Sequence, residues 1–159
     1  MTDGQIAADD PRAADVQGLL AAHLAFAHEQ TPLENIHALD IEALLDPAIS
    51  FFSYRAGGQL LAVGALKQLD ARHAEIKSMH TAQAARGRGI GRAMVTHLLG
   101  VARARGVRQV SLETGTTAAF APARALYTSA GFVPCGPFGS YQRTPDNTFF
   151  TLWLDGSTA

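Results

Sequence analysis

The chain has 159 residues, 47% of them apolar, with a formal net charge of −1, so one domain with a proper core is expected and no broad field invites nucleic acid or an anionic membrane. No apolar run approaches the ~20 residues of a membrane span, and Met1 to Pro11 carries Asp3, Asp9 and Asp10 where a secretory signal would be cationic. The single cysteine, Cys135, has no internal partner for a disulfide, which suits a reducing cytoplasm.

Val16, Leu19, Leu20, His23, Leu24 and Ala27 recur at helical spacing and predict an amphipathic helix over 12–29. Thr31-Pro32-Leu33-Glu34 has the form of a capping box with proline at the first helical position, so a second helix is expected from Pro32 to about Leu45. Ile49–Arg55 and Leu60–Leu69 read as two strands of a hairpin around Gly57-Gly58, followed by a third strand over His73–Thr81. A helix with Ile90, Met94, Leu98 and Val101 on one face then runs to Gly106. Val107–Glu113 reads as a strand, Pro122–Ala130 as a helix and Phe132–Cys135 as a short strand. Residues 136–147, rich in Gly and Pro, form a loop before a closing strand over Thr148–Leu154. The order predicts one mixed α/β domain spanning residues 1–159.

The most distinctive segment is Arg86-Gly87-Arg88-Gly89-Ile90-Gly91, set between an extended strand and a helix. Glycines let the backbone turn N–H groups toward a ligand, and the helix start adds unpaired N–H groups and a positive dipole end. Two familiar phosphate loops fail on spacing. A Walker loop needs Lys-Ser/Thr after its last glycine, where Arg92-Ala93 stands; a dinucleotide fingerprint started at Gly87 would need glycine at Arg92.

The remaining pattern, Arg-x-x-Gly-x-Gly, resembles the acetyl-CoA signature of the GCN5-related N-acetyltransferases (GNAT superfamily). Glu75-Ile76-Lys77-Ser78-Met79-His80 is similar to the strand before that signature, and Ala125-Leu126-Tyr127-Thr128-Ser129-Ala130-Gly131-Phe132 to the family's Leu-Tyr-x-x-x-Gly-Phe block. The blocks stand in the family's order and spacing. Gly64-Ala65-Leu66-Lys67, Ser111-Leu112-Glu113-Thr114-Gly115 and Pro122-Ala123-Arg124 further resemble a small bacterial branch of the superfamily. The resemblance implies a central, mostly antiparallel sheet splayed at the cofactor site, with helices on both faces. It implies acetyl-CoA as co-substrate and an N-acetyltransferase acting on the amine of a small molecule by direct transfer in a ternary complex. Monomers and homodimers both suit this family.

By the same resemblance, the backbone N–H groups of Arg86, Gly87, Gly89, Gly91 and Arg92, together with Arg88, face the pyrophosphate, and backbone groups near Met79 and Thr81 pair with the pantetheine arm. An alkylammonium of pKa ~10.4 is neutral in only about one molecule in a thousand at pH 7, so the reaction calls for a base, and the departing thiolate for an acid. Glu75 is the candidate base, eleven positions before Arg86, where family members place a glutamate. Its plain alternative is a strand glutamate paired with Lys77 or a neighbouring strand. Tyr127 is the candidate acid beside the CoA sulfur; its plain alternative is a core aromatic. Cys135 is expected to be structural, with no acetyl-cysteine formed. Phe120 departs from the family pattern, where many members carry a CoA-contacting asparagine seven residues before the tyrosine.

Acceptors in this family enter near the N-terminal helices and the late loop, which makes Glu34, His37, Ser78, His80, Tyr141 and Arg143 substrate candidates. Arg143 would suit a carboxylate-bearing acceptor. The six scattered histidines form no metal box, and no metal is expected. Two rival readings remain at this level: a non-catalytic acyl-CoA sensor on the same fold, and a nucleic-acid binder using Arg86, Arg88, Arg92, Arg103, Arg105 and Arg108, which the neutral charge and absent aromatic platform disfavour.

Overall fold

The computed structural model describes residues 4–30 and 41–154, and for 26–30 the backbone alone. Strands β1 (Gly4–Ala8), β2 (Ile49–Ala56), β3 (Gln59–Gln68), β4 (His73–Thr81), β5 (Gln109–Gly115), β6 (Val133–Cys135) and β7 (Asn147–Trp153) form one sheet in the order β1-β2-β3-β4-β5-β7-β6. Every neighbouring pair is antiparallel except β4 with β5. Helices α1 (Ala14–Gln30), α2 (Ile90–Ala104) and α3 (Ala121–Ser129) complete the fold. No helix among the described residues is long and apolar enough to cross a membrane.

The alternation of the strands assigns the helices to opposite faces. Phe51, Val63 and Ala65 point to one side and bury Val16 and Leu20 of α1. Their neighbours Phe52, Ala62 and Leu66 point to the other, where Ile90, Met94, Val95 and Leu98 of α2 pack with Tyr127 of α3. At Gly64 that second face is so tight that a Cβ would lie 2.8 Å from Met94 Cγ and 2.9 Å from Met79 Sδ.

Three expectations shift. The capping-box helix from Pro32 falls largely outside the described residues, with Glu34 and His37; its end at Ala43–Leu45 is a 3-10 turn. Strand β1 was not expected. Ile6 is its only strong strand former, and it is held by pairing with β2, where Gly4 lies so close under Tyr54 that a Cβ there would meet the ring. Strand β5 starts at Gln109, because Val107 N–H is taken by Ala102 C=O at 3.0 Å and Arg108 N–H by Arg72 C=O at 2.8 Å.

Two irregularities make room for a site. The parallel pairing of β4 and β5 is confined to His73–Glu75 against Gln109–Ser111; beyond it the strands part, β5 running on against β7 to Gly115. In β4 the register against β3 jumps, so that Ser78 and Met79 together oppose Gly64. Ser78 takes the left-handed conformation at φ 56°, the strained residue of a β-bulge.

Candidate active site

The gap between the parted strands opens into a cavity of about 560 Å³. Its lining comes from β4, the glycine loop and the start of α2, the end of β5, α3, the late loop and α1. The two faces of the sheet give its two halves different chemistry.

On the α2 side lies the anion cradle. Arg86 is extended, Gly87 and Gly89 have φ of 80° and 78°, and Gly89 caps α2 with ψ 12°. Among the described residues, no group accepts a hydrogen bond from the N–H groups of residues 87–92, whereas Ala93 N–H already bonds Gly89 C=O at 3.0 Å. A run of free amides at a helix start binds phosphate oxygens, with the helix dipole adding to it. The expected roles change at two places. Arg86 N–H is consumed by Gln83 C=O at 3.3 Å, so this residue contributes its side chain, which reaches Thr81 C=O at 3.3 Å. Arg88 does not line the cavity; its guanidinium turns back to Ala84 C=O at 3.3 Å. Arg92 lines it and reaches Ser129 Oγ at 2.5 Å. Met79 and Thr81 lie on the edge of β4 that β5 has left. A Gly89→Val substitution meets open space in the protein itself, yet forces a β-branched residue into the left-handed region and puts methyls where phosphate approaches. We expect acetyl-CoA affinity to fall by at least about 100-fold by calorimetry, since 1–2 kcal/mol of backbone strain adds to lost phosphate contact.

Tyr127 stands at the junction of the halves. Its ring is buried edge-to-face on Phe132 at 5.8 Å, it lines the cavity, and no described group pairs with its hydroxyl. Burial pushes its pKa above the usual phenol value, so it holds its proton at neutral pH. Phe120 lines the wall beside it, with its ring against Gly115, where a Cβ would lie 2.2 Å from Cδ2. Arg124, bonded to Gly115 C=O at 2.7 Å and Thr117 C=O at 2.9 Å, pins this segment. An apolar wall thus stands at the position where many family members carry asparagine.

On the α1 side, Glu75 is buried and lines the cavity. Lys77 Nζ donates to its Oε2 at 3.0 Å, and so does the Tyr141 hydroxyl at 2.5 Å; Lys77 Nζ also donates to Tyr141 Oη at 2.6 Å. The pairing with Lys77 is therefore real, and it coexists with a place in the cavity. Both contacts fall on Oε2, leaving Oε1 without a hydrogen-bond partner among the described residues. Burial first, then the Glu75 charge, raises the Tyr141 pKa, so Tyr141 stays a neutral donor. Phe138 and Phe149 seat its ring at 5.2 and 5.9 Å.

Glu113, Asp146 and Asn147 also line this half, with Asn147 Nδ2 donating to Glu113 Oε2 at 2.9 Å. Ser78 and His80 line it, and His23 of α1 joins them. Arg143 does not. It bonds Cys135 C=O at 3.2 Å and lies over the Phe149 ring at 5.6 Å, outside the lining. Cys135 also lies outside it, with burial raising its thiol pKa. Among the described residues, no group of three or more His, Cys, Asp or Glu side chains is arranged to hold a metal.

Sequence reading alone had missed His23, Glu113 and Asn147. The only signal for His23 was its place on the Val16–Leu20 stripe. Glu113 alternates with the buried Leu112 on β5 and so faces the other side of the sheet.

A sheet parted at its one parallel pair, with a glycine-rich helix start on one side, defines the acyl-CoA transferase class of fold. A model of the Acetyltransferase (GNAT) family matches residues 16–132, and the chain belongs to that family. It is 42% identical over 149 residues to the uncharacterized N-acetyltransferase YedL of Escherichia coli, covering 94% of each chain. It is also 42% identical over 146 residues to the uncharacterized N-acetyltransferase YsnE of Bacillus subtilis, covering 92% of this chain and 97% of YsnE. A solved structure from Klebsiella pneumoniae, assigned as an acyl-CoA N-acyltransferase, superposes with a TM-score of 0.79 at 25% identity over 96% of this chain and 98% of that one. Family and relatives together make this chain an acyltransferase.

Proposed function

We propose that the chain is an acetyl-CoA-dependent N-acetyltransferase that acetylates the amine of a small molecule by direct transfer in a ternary complex. The observation that carries this reading is the two-faced cavity. Free amides, Arg86 and Arg92 line its α2 side, and Glu75, Glu113 and Asp146 its α1 side. The first environment suits a pyrophosphate and the second an ammonium. The residues present fit the cofactor: the N–H groups of residues 87–92 would hold its phosphates and the vacated edge of β4 its pantetheine arm. Bound acetyl-CoA supplies the activated thioester. Tyr127 presents a phenolic proton for the departing sulfur, and Oε1 of Glu75 faces the amine side as a proton acceptor, directly or through one water. With Cys135 outside the lining, direct attack by the amine needs no protein nucleophile.

The test is thiol release from acetyl-CoA across amino acids, polyamines, aminoglycosides and peptides. Amine-dependent release is expected, with cationic acceptors favoured, because on the α1 side the described lining offers a carboxylate-bearing one no lysine or arginine except Lys77, which is already engaged. Tight acetyl-CoA binding with no release for any amine would point instead to a sensor.

A further inference from the structure

Acetylation of an ammonium removes two protons from nitrogen. One ends on sulfur and the other must reach water, because R–NH3+ plus acetyl-CoA gives the amide, CoA–SH and H+. Tyr127 delivers the first to sulfur, and a proton that Oε1 of Glu75 takes from the nitrogen replaces it. Glu75 Oε2 is already bonded by Lys77 and Tyr141, so the second proton needs a further acceptor on the amine side. The structure holds one that the proposed function has not used.

His80 and His23 line the cavity together, with Nδ1 of one 3.3 Å from Nδ1 of the other and ring centroids 5.0 Å apart. The bulge in β4 creates this meeting. In a regular strand residues 77 and 79 would share a face; with Ser78 and Met79 both opposite Gly64, Met79 packs toward α2 and His80 turns to α1. There it meets His23, on the stripe of α1 that buries Val16 and Leu20.

The Nδ1–Nδ1 contact constrains the tautomers. A neutral imidazole carries one N–H, so one ring must have its proton on Nδ1 and a bare Nε2, while the other has a bare Nδ1 and a proton on Nε2. Neither Nε2 has a partner among the described residues, and neither is a sealed, unsatisfied atom. The pair thus ends in an acceptor on one side and a donor on the other. Burial, first among the causes, lowers the pKa of both rings, that of His80 to about 4, with His23 and Arg86 adding to it. Both rings are then neutral at rest. The other charges nearby are the Glu75–Lys77 pair on β4, and β3 presents apolar Val63 opposite His80.

We propose that His80 and His23 form the proton exit of the acetyl-transfer site. This rests on the reading of the chain as an N-acetyltransferase. Nε2 of His80 accepts a proton from the acceptor nitrogen, Nδ1–H of His80 passes its proton to Nδ1 of His23, and Nε2–H of His23 releases one to water. The N–C bond forms as the C–S bond breaks, and no oxidant or further reactant is needed.

Nitrogen-15 spectra of the imidazoles in the ligand-free protein at neutral pH test the pairing. His80 is expected as the Nδ1–H tautomer and His23 as the Nε2–H tautomer, assigned with His80→Gln and His23→Gln. Two Nε2–H rings would overturn the proposal. The transfer is tested with acetyl-CoA and whichever amine in the screen releases thiol fastest. His80→Gln keeps a hydrogen bond to His23 but carries no proton, and kcat should fall by about 100-fold or more with KM for acetyl-CoA unchanged. His80→Ala should fall likewise and regain activity with added imidazole. Wild-type kcat in either variant, or no rescue of the alanine variant, overturns the relay alone. A wild-type protein that turns over no amine fails the functional reading and the relay with it.

Discussion

Tyr127→Phe is expected to lower kcat for amine-dependent thiol release about 10²- to 10⁴-fold, the range for removal of one general acid, while leaving the melting temperature nearly unchanged. Buried tyrosines usually lose stability with their hydroxyl, because the hydroxyl has a partner. Here the ring is enclosed against Phe132, while no described group accepts or donates a bond at the hydroxyl. Phenylalanine keeps the ring packing and sheds a polar atom that burial has partly desolvated. Loss of rate without loss of stability is the mark of a group kept for chemistry. Wild-type kcat would remove Tyr127 from the reaction, and a fall in melting temperature of several degrees would give its hydroxyl a structural role.

The affinity for acetyl-CoA should barely move in that variant, because binding resides elsewhere. On the proposed reading the amides of residues 87–92 and the edge of β4 would hold the cofactor, and neither depends on the phenol. Gly89→Val has the opposite profile, weak binding with the chemistry untouched once cofactor saturates. Assaying both variants separates donor binding from acid catalysis.

How much of this was legible in the sequence depends on the range of the contacts. Helix α2 was readable because Ile90, Met94 and Leu98 encode their burial within fifteen residues, and the glycine loop because its conformation is local. The sequence named Glu75, Ser78, His80 and Tyr141 for the cavity's α1 side but not their contacts, since Tyr141 meets Glu75 across 66 residues and His80 meets His23 across 57. Arg143 was misplaced for the same reason. The direction of the late loop is set by Phe138 packing on Tyr141 and Phe149, which leaves Tyr141 inside and Arg143 out. The bulge at Ser78 also escaped notice, because a left-handed serine carries no compositional mark.

Glu75→Gln is expected to cost about 3–5 kcal/mol in urea denaturation, the penalty for leaving one charge of a buried pair uncompensated. The side chains of Glu75 and Lys77 are 5% and 9% exposed, and their 3.0 Å contact is shielded from solvent. The neutral Tyr141 oxygen that Lys77 also contacts solvates an ammonium but cannot balance it. Lys77→Met should cost a similar amount from the other side, by stranding the carboxylate. The double variant Glu75→Gln/Lys77→Met removes both charges and should recover most of the loss, since neutral replacement of a buried pair is often harmless to stability. Activity should not follow. If Glu75 serves only to neutralise Lys77, the refolded double variant regains its turnover with its stability. If Oε1 of Glu75 takes part in deprotonating the amine, the double variant is stable, binds acetyl-CoA and remains slow. On the proposed mechanism the pair is a folding element on Oε2 and a chemical one on Oε1, and the double substitution pulls those roles apart.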